Sequence, residues 1–123
     1  VTILPHPYDA HQLDKIDFNL IDCIEVFNSR SSLKNNELSR ELAEHLNKRI
    51  IYGSDAHLKH DILNCPFVYL GNSPFEGIPK PIYLKQTPSW RITVSQLIKS
   101  IKQRDGRLML RVLKQITKQT LKK

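Results

Sequence analysis

Short apolar runs rich in β-branched and aromatic residues recur along the first 84 residues, and they predict β-strands. The runs lie at 2–5, 20–27, 50–52, 66–70 and 82–84. Between the second and third runs, Leu38, Leu42 and Leu46 recur at four-residue spacing, which predicts an amphipathic helix. Asn35 or Asn36 is expected to cap that helix. A strand, a helix and a strand in succession predict a βαβ unit with parallel strands.

A helical pattern follows the turn-rich segment 71–81, which is rich in Gly and Pro. Apolar residues spaced i, i+3, i+4, i+7 occur twice, on either side of the Asp105-Gly106 break. They are Val94, Leu97, Ile98 and Ile101, then Met109, Val112, Leu113 and Ile116. The fold class is therefore predicted as α/β with parallel strands, followed by two amphipathic helices. Residues 1–84 form the body, and residues 85–123 form a basic helical segment.

The net charge of +7 is unevenly distributed along the chain. Residues 85–123 hold eleven Lys or Arg and a single acidic residue, Asp105, whereas residues 1–84 hold eight basic and eleven acidic residues. On the second helix one face carries Arg107, Arg111, Lys114, Lys118 and Lys122. A mildly acidic body suits metal cations. The basic segment suits nucleic acid, anionic lipid or simple solvation, and lipid is disfavoured because the second helix has no Trp or Phe.

The two cysteines indicate the redox state of the cellular compartment. Cys23 and Cys65 each lie in an apolar run, and neither has a second cysteine at metal-ligand spacing. Buried free thiols in a reducing cytoplasm are the expected state. No apolar run approaches the roughly 20 residues that cross a bilayer, so we expect a soluble chain without membrane contact.

Candidate chemistry lies where two of the predicted strands end. Asp55 and His57 follow the run at 50–52, and residues at i and i+2 of an extended chain point the same way. An acid oxygen and an imidazole nitrogen held in this way can bind a divalent metal. Gly53 is expected to turn the chain there. The alternative is that Asp55 caps a helix beginning near residue 56.

His6 is the second candidate, because it stands between Pro5 and Pro7. The two prolines predict an extended backbone and a ring direction fixed at little entropic cost. Of the other histidines, His45 belongs to the predicted helix. His11 and His60 lie a few residues beyond the candidate ligands, so each is either a substrate or outer-sphere contact or a solvated loop residue.

The motifs resemble those of a known family when they are taken in order. His6-Pro7, then "IEVFN" at 24–28, then "GSDAH" at 53–57 resemble the C-terminal half of the PHP superfamily, the polymerase and histidinol phosphatase metal-dependent phosphoesterases. The resemblance covers residues 2–70. It implies the C-terminal part of a distorted (β/α)7 barrel whose strand ends hold two or three Zn, Mn or Fe ions and which hydrolyses phosphate esters.

The resemblance also assigns roles to particular residues. His6, Asp55 and His57 would be metal ligands, Glu25 and Asn28 would form the wall of the site, and Arg30 would contact the substrate phosphate. His60 is a candidate substrate contact because of its position near Asp55 and His57, not because of the resemblance. The family's first half supplies further ligands, so we expect a partner segment or another chain to complete the site and the isolated chain to be inactive. Two alternatives stay open: an interaction domain that has lost the chemistry, and a nucleic-acid-binding module that uses the basic helices.

Overall fold

The computed structural model describes residues 1–70 and 78–120. The chain divides into two compact units, one running from Val1 to Gln86 and the other beginning at Thr87. The first unit contains the sheet and all of the candidate site residues. The second unit contains the two C-terminal helices.

A three-stranded parallel sheet forms the centre of the first unit. Its strands are β1 (Ile3–Leu4), β2 (Cys23–Asn28) and β3 (Arg49–Gly53), in the order β1-β2-β3. All six residues of β2 are buried, as expected for a central strand covered on both faces. The register between β2 and β3 shifts after Glu25, so that Ile51 faces Glu25 and Tyr52 faces Phe27. Val26 is therefore an extra residue on β2 without a partner on β3, as in a β-bulge, and it lies close to the carboxyl end of β2.

The predicted βαβ crossover is confirmed, since helix α2 (Leu33–His45) connects the parallel strands β2 and β3. The expected N-cap at Asn35 or Asn36 is wrong. The cap is Ser32, whose side chain accepts a hydrogen bond from the backbone N–H of Asn35 at 3.0 Å. The helix therefore begins earlier than predicted, and Asn36 is free to make the bonds to β2 described below.

An antiparallel pair of strands follows the sheet. Strand β4 (Phe67–Leu70) agrees with the predicted run, and it pairs with β5 (Ile78–Pro81). The predicted strand at 82–84 is wrong, because β5 ends at Pro81. Two prolines in β5 are tolerated only at an edge position. Because they interrupt any alternation of apolar residues, the sequence pattern did not predict a strand there. Most of the predicted turn segment 71–81 lies outside the described residues.

The core of the first unit lies where the sheet packs against α2. Its buried apolar members are Leu4, Ile24, Val26, Phe27, Ala43, Tyr52 and Cys65. Cys23 is buried as well, and both cysteines are free. The prediction of two buried thiols is therefore confirmed.

The overall architecture is mixed α/β with an open sheet. Within residues 1–70 and 78–120 the three parallel strands do not close into a barrel. No helix in these ranges combines the length and apolarity needed to cross a membrane.

The second unit is a pair of helices, α3 (Ser89–Lys102) and α4 (Gly106–Thr120), which pack against each other. This confirms the two predicted helices and the break at 105–106. Most residues of the predicted apolar stripes are nevertheless exposed, and only Val112 among them is buried. The basic face of α4 is exposed along Arg107, Arg111, Lys114 and Lys118. Lys122 lies outside the described residues.

Candidate functional site

His6 stands at the carboxyl end of β1, in a conformation that its two prolines did not predict. Its φ is 28° and its ψ is 63°, in the left-handed region, so the expected extended backbone is wrong. Two hydrogen bonds hold this conformation. The backbone N–H of His6 donates to Glu25 Oε2 at 2.6 Å, and its carbonyl accepts from the N–H of Asp9 at 3.0 Å. The tertiary bond to a buried carboxylate therefore overrides the local preference.

The Glu25 side chain is the buried acidic group of this region. Its Oε2 accepts hydrogen bonds from the His6 N–H and from Asn28 Nδ2, the latter at 3.1 Å. Burial raises the pKa of the Glu25 carboxyl, and the nearby Asp55 adds to that rise, while the bonds from Asn28 and His6 oppose it. The surroundings of Glu25 therefore favour its protonated form. The carboxyl lies near His6 and Asp55, two of the predicted metal ligands.

Gly53 makes room for this carboxylate. A Cβ on Gly53 would overlap Glu25 Oε1 and would lie 2.9 Å from Glu25 Cδ. The expected turn does not begin at Gly53, because this residue still belongs to β3 and its φ is not positive. The glycine is required by the side chain of the neighbouring strand.

Asn28 connects the buried carboxylate to the chain that leaves β2. Its Nδ2 donates to Glu25, and its Oδ1 accepts from the backbone N–H of Arg30 at 2.9 Å. The backbone of Asn28 is itself paired with the side chain of Asn36, which accepts from the Asn28 N–H at 3.0 Å and donates to the Asn28 carbonyl at 3.1 Å. The end of β2 is therefore held on both its side chain and its backbone.

Asp55 and His57 lie beyond β3, which ends at Gly53. No helix begins at residue 56 in this described segment, so the capping alternative for Asp55 is wrong; Asp55 has a φ of 45°. His57 Nδ1 lies 2.8 Å from the Asp55 carbonyl oxygen and 3.5 Å from Asp55 Oδ1. On the other side, Arg30 Nε lies 3.6 Å from Asp55 Oδ2. The carboxylate of Asp55 thus stands between an imidazole and a guanidinium.

Backbone strain coincides with the candidate ligands. Four non-glycine residues among those described have positive φ: His6, Asn47, Asp55 and Arg104. Asn47 and Arg104 each follow the C-cap of a helix, where the left-handed conformation is ordinary. His6 and Asp55 end no such helix; both lie just beyond parallel strands. Strain of this kind concentrates at functional sites.

Six of the predicted residues, Glu25 among them, are connected at the same edge of the sheet. His6 and Asn28 bond to Glu25 in one group, and His57 and Arg30 contact Asp55 in the other. The bond from the Arg30 N–H to Asn28 Oδ1 links the two groups. The seventh predicted residue, His60, is exposed in the 3₁₀ helix Lys59–Asn64 and has no bond to either group.

Two residues near the site were missed by the sequence reasoning or given little weight. His11 stacks on the ring of His6. Cys65 is buried, and the combined effect of that burial and of the negative charge of Glu25 raises the pKa of its thiol to about 11. The five-residue spacing of His6 and His11 was visible in the sequence, but no sequence signal connects Cys65 to Glu25.

The imidazole nitrogens of His6 and His57 and the carboxylate of Asp55 are atom types that bind divalent metals, and they could form part of a ligand shell. Nδ1 of His6 is a buried ring nitrogen that has no hydrogen-bond partner within residues 1–70 and 78–120. Imidazole nitrogens with carboxylate oxygens suit Zn, Mn and Fe alike. No group of three or more His, Cys, Asp or Glu side chains is already arranged around one point in those ranges. An ion bound here would take its remaining ligands from water or from other parts of the protein.

No protein-family model, curated protein or solved structure matches this chain.

Proposed function

We propose that the carboxyl edge of this sheet is one wall of a divalent-metal site that hydrolyses phosphate esters. The proposal depends on one observation: the polar residues at the ends of β1, β2 and β3 converge there, two of them in strained conformations. In open parallel sheets ligands bind at this edge. The order of the motifs, His6-Pro7, "IEVFN" and "GSDAH", supports assignment to the PHP superfamily.

His6, Asp55 and His57 are the residues that would hold the metal. Nδ1 of His57 is engaged by the Asp55 carbonyl, which leaves Nε2 of His57 for an ion. Asp55 would exchange the long contact to Arg30 for a metal bond. Once bound, a divalent ion supplies Lewis-acid stabilisation and lowers the pKa of a coordinated water.

The remaining residues would position these ligands and the substrate. Glu25 holds the backbone of His6, and Asn28 holds both Glu25 and the backbone of Arg30. The Arg30 guanidinium lies beside Asp55 and would pair with phosphate oxygens, because planar N–H donors match that geometry. His60, exposed in the 3₁₀ helix Lys59–Asn64, would contact the substrate.

The larger architecture belongs to the same proposal. A PHP-like barrel would extend the open parallel sheet, and a partner segment, in the same chain or in another chain, would add the ligands that complete a site of two or three ions. The free buried thiols support a cytoplasmic location. A PHP-like interaction domain without chemistry is the competing function, and it predicts no metal binding at this edge.

Metal binding tests the proposal directly. Calorimetric titration of the chain with ZnSO₄ or MnCl₂ is compared with Asp55→Ala, His57→Ala and the control His45→Ala, whose imidazole is exposed on α2. Loss of one ligand of three is expected to weaken binding by at least about tenfold, with the control unchanged. If wild-type chain and both site variants bind metal equally, or none binds it, the site is not a metal centre.

Activity is the second readout. Hydrolysis of para-nitrophenyl phosphate is measured with the chain and Mn²⁺. Turnover that falls together with metal affinity in Asp55→Ala supports the phosphoesterase. Metal binding without turnover in the chain supports the need for a partner segment to complete the site.

A further inference from the structure

The side chain of His6 is in contact with a second imidazole. The rings of His6 and His11 lie with their centroids 5.4 Å apart and their planes inclined by 28°, in a stacked arrangement. The short helix α1 (Pro7–Ala10) produces this contact: His6 is its N-cap and His11 its C-cap, so the chain makes one turn and returns beside its starting point. The separation falls within the range of about 4.5–7 Å that is favourable for aromatic pairs.

The stack is important because the described residues provide no hydrogen bond that would orient the His6 ring. A metal-binding histidine normally makes a hydrogen bond through its other ring nitrogen, which sets the plane of the ring. Neither ring nitrogen of His6 has a hydrogen-bond partner within residues 1–70 and 78–120, so whichever nitrogen binds an ion, the other lacks such a bond. Rotation about χ2 of a histidine is otherwise soft. The stacked ring of His11 is a contact that opposes this rotation.

We propose that His11 is a positioning residue, whose ring lies against His6 and holds the His6 imidazole in the plane from which it binds the divalent ion. This inference rests on the function proposed above, since it assigns no ligand of its own to His11. A stack of nearly parallel rings directs the nitrogens of the two residues along similar planes, not toward a shared point. His11 therefore acts through His6.

Two substitutions at position 11 separate positioning from ligation. His11→Ala removes the ring, and His11→Phe keeps a flat ring without a nitrogen. Residue 11 is exposed with extended backbone angles, so either side chain fits the fold. His11→Ala is expected to weaken Zn²⁺ binding by about threefold to tenfold, the range that corresponds to an aromatic pair. His11→Phe is expected to restore affinity to within about twofold of wild type.

A second measurement needs no metal. In metal-free protein, the ¹H–¹³C ring signals of His6 are expected to move in His11→Ala, because the ring current of residue 11 is lost, while signals of His45 stay in place. Thermal midpoints of the variants are measured in parallel. An unchanged midpoint with weakened Zn²⁺ binding is the pattern expected of positioning.

The outcomes are distinct. Weakening in His11→Ala with restoration in His11→Phe supports the inference. Equal weakening in both variants overturns it in favour of direct ligation by His11, and wild-type affinity in both overturns it outright while leaving the metal site intact. Absence of Zn²⁺ binding by the wild-type chain contradicts the proposed function itself, and unmoved His6 ring signals then separately contradict the stack.

Discussion

The carboxylate of Glu25 on β2 lies directly over the Cα of Gly53 on β3, in the space that any other residue would fill with its Cβ. The two residues belong to adjacent parallel strands near the edge where the candidate ligands converge. A buried acidic side chain and a residue without a side chain are therefore one structural unit. Its members lie 28 positions apart in the sequence.

Gly53→Ala is expected to destabilise the protein by about 1–3 kcal/mol, the usual cost of overpacking a filled interior. The methyl group must displace Glu25, whose hydrogen bonds to His6 and Asn28 would be lost or distorted. Urea unfolding followed by circular dichroism measures the change in the free energy of unfolding.

The matched control is the same substitution made in a Glu25→Ala background. There the carboxylate is already absent, so Gly53→Ala is expected to cost far less, and the double-mutant cycle should show a coupling of about 1 kcal/mol or more. An equal cost in both backgrounds would mean that the alanine is excluded for a reason unrelated to Glu25.

The raised pKa of Glu25 predicts a pH dependence of stability. The folded state favours the protonated carboxyl, so the contribution of Glu25 is complete below its ordinary pKa of 4.5 and is lost as the pH rises through the higher folded value. Glu25→Gln removes this dependence. The stability of the variant relative to wild type should therefore increase with pH above about 4.5.

Chemical unfolding in EDTA at several pH values between 4 and 8 measures this difference. EDTA keeps bound metal from altering the titration. A stability difference between Glu25→Gln and wild type that stays constant across this range would contradict a raised pKa for Glu25. A difference that falls with rising pH would mean that the pKa is lowered in the folded state.

Asn36 is expected to contribute to stability through its two bonds to the backbone of Asn28. Asn36→Ala leaves the buried N–H of Asn28 without its partner, whereas the Asn28 carbonyl keeps a bond from the N–H of Ser31 at 3.2 Å, so the expected cost is about 1–3 kcal/mol. Asn36→Asp keeps the acceptor for the N–H but sets a buried carboxylate oxygen against the Asn28 carbonyl, so it is expected to cost more than the loss of one bond.

Glu37→Ala is the control, because that side chain is exposed on the same helix. It is expected to change the free energy of unfolding by less than about 0.5 kcal/mol. Thermal and urea unfolding of all three variants make the comparison. A cost for Asn36→Ala no greater than that of the control would show that the paired amide adds nothing.

Cys65 is expected to react slowly with iodoacetamide in the folded protein. Its thiol is buried, and its pKa is raised to about 11, so little thiolate is present at pH 8. Alkylation at pH 8 should be at least about tenfold faster in 6 M guanidinium chloride than in buffer, by peptide mass spectrometry. Equal rates in the two conditions would show that Cys65 is accessible in the fold.

Local pattern was sufficient for the presence of several elements. The βαβ unit, the break at 105–106 and the two C-terminal helices followed from the periodicity of the apolar residues, because helices and strands repeat their side-chain directions at different periods. The pattern did not predict which face of α3 is buried, since Val94, Ile98 and Ile101 are exposed. The N-cap of α2 and the position of β5 were predicted wrongly. Both depend on which neighbouring groups are available to bond, and a single-sequence pattern carries no information about these neighbours.

Tertiary structure decided the conformation of the candidate site. The sequence identified His6, Glu25, Asn28, Arg30, Asp55 and His57, and the fold brings these six to one edge because the carboxyl ends of parallel strands coincide. The sequence did not predict the positive φ of His6, because that conformation is held by the carboxylate of Glu25 from the neighbouring strand. Nor could it show that Gly53 is a glycine because of Glu25, since that overlap exists only when β2 and β3 are paired.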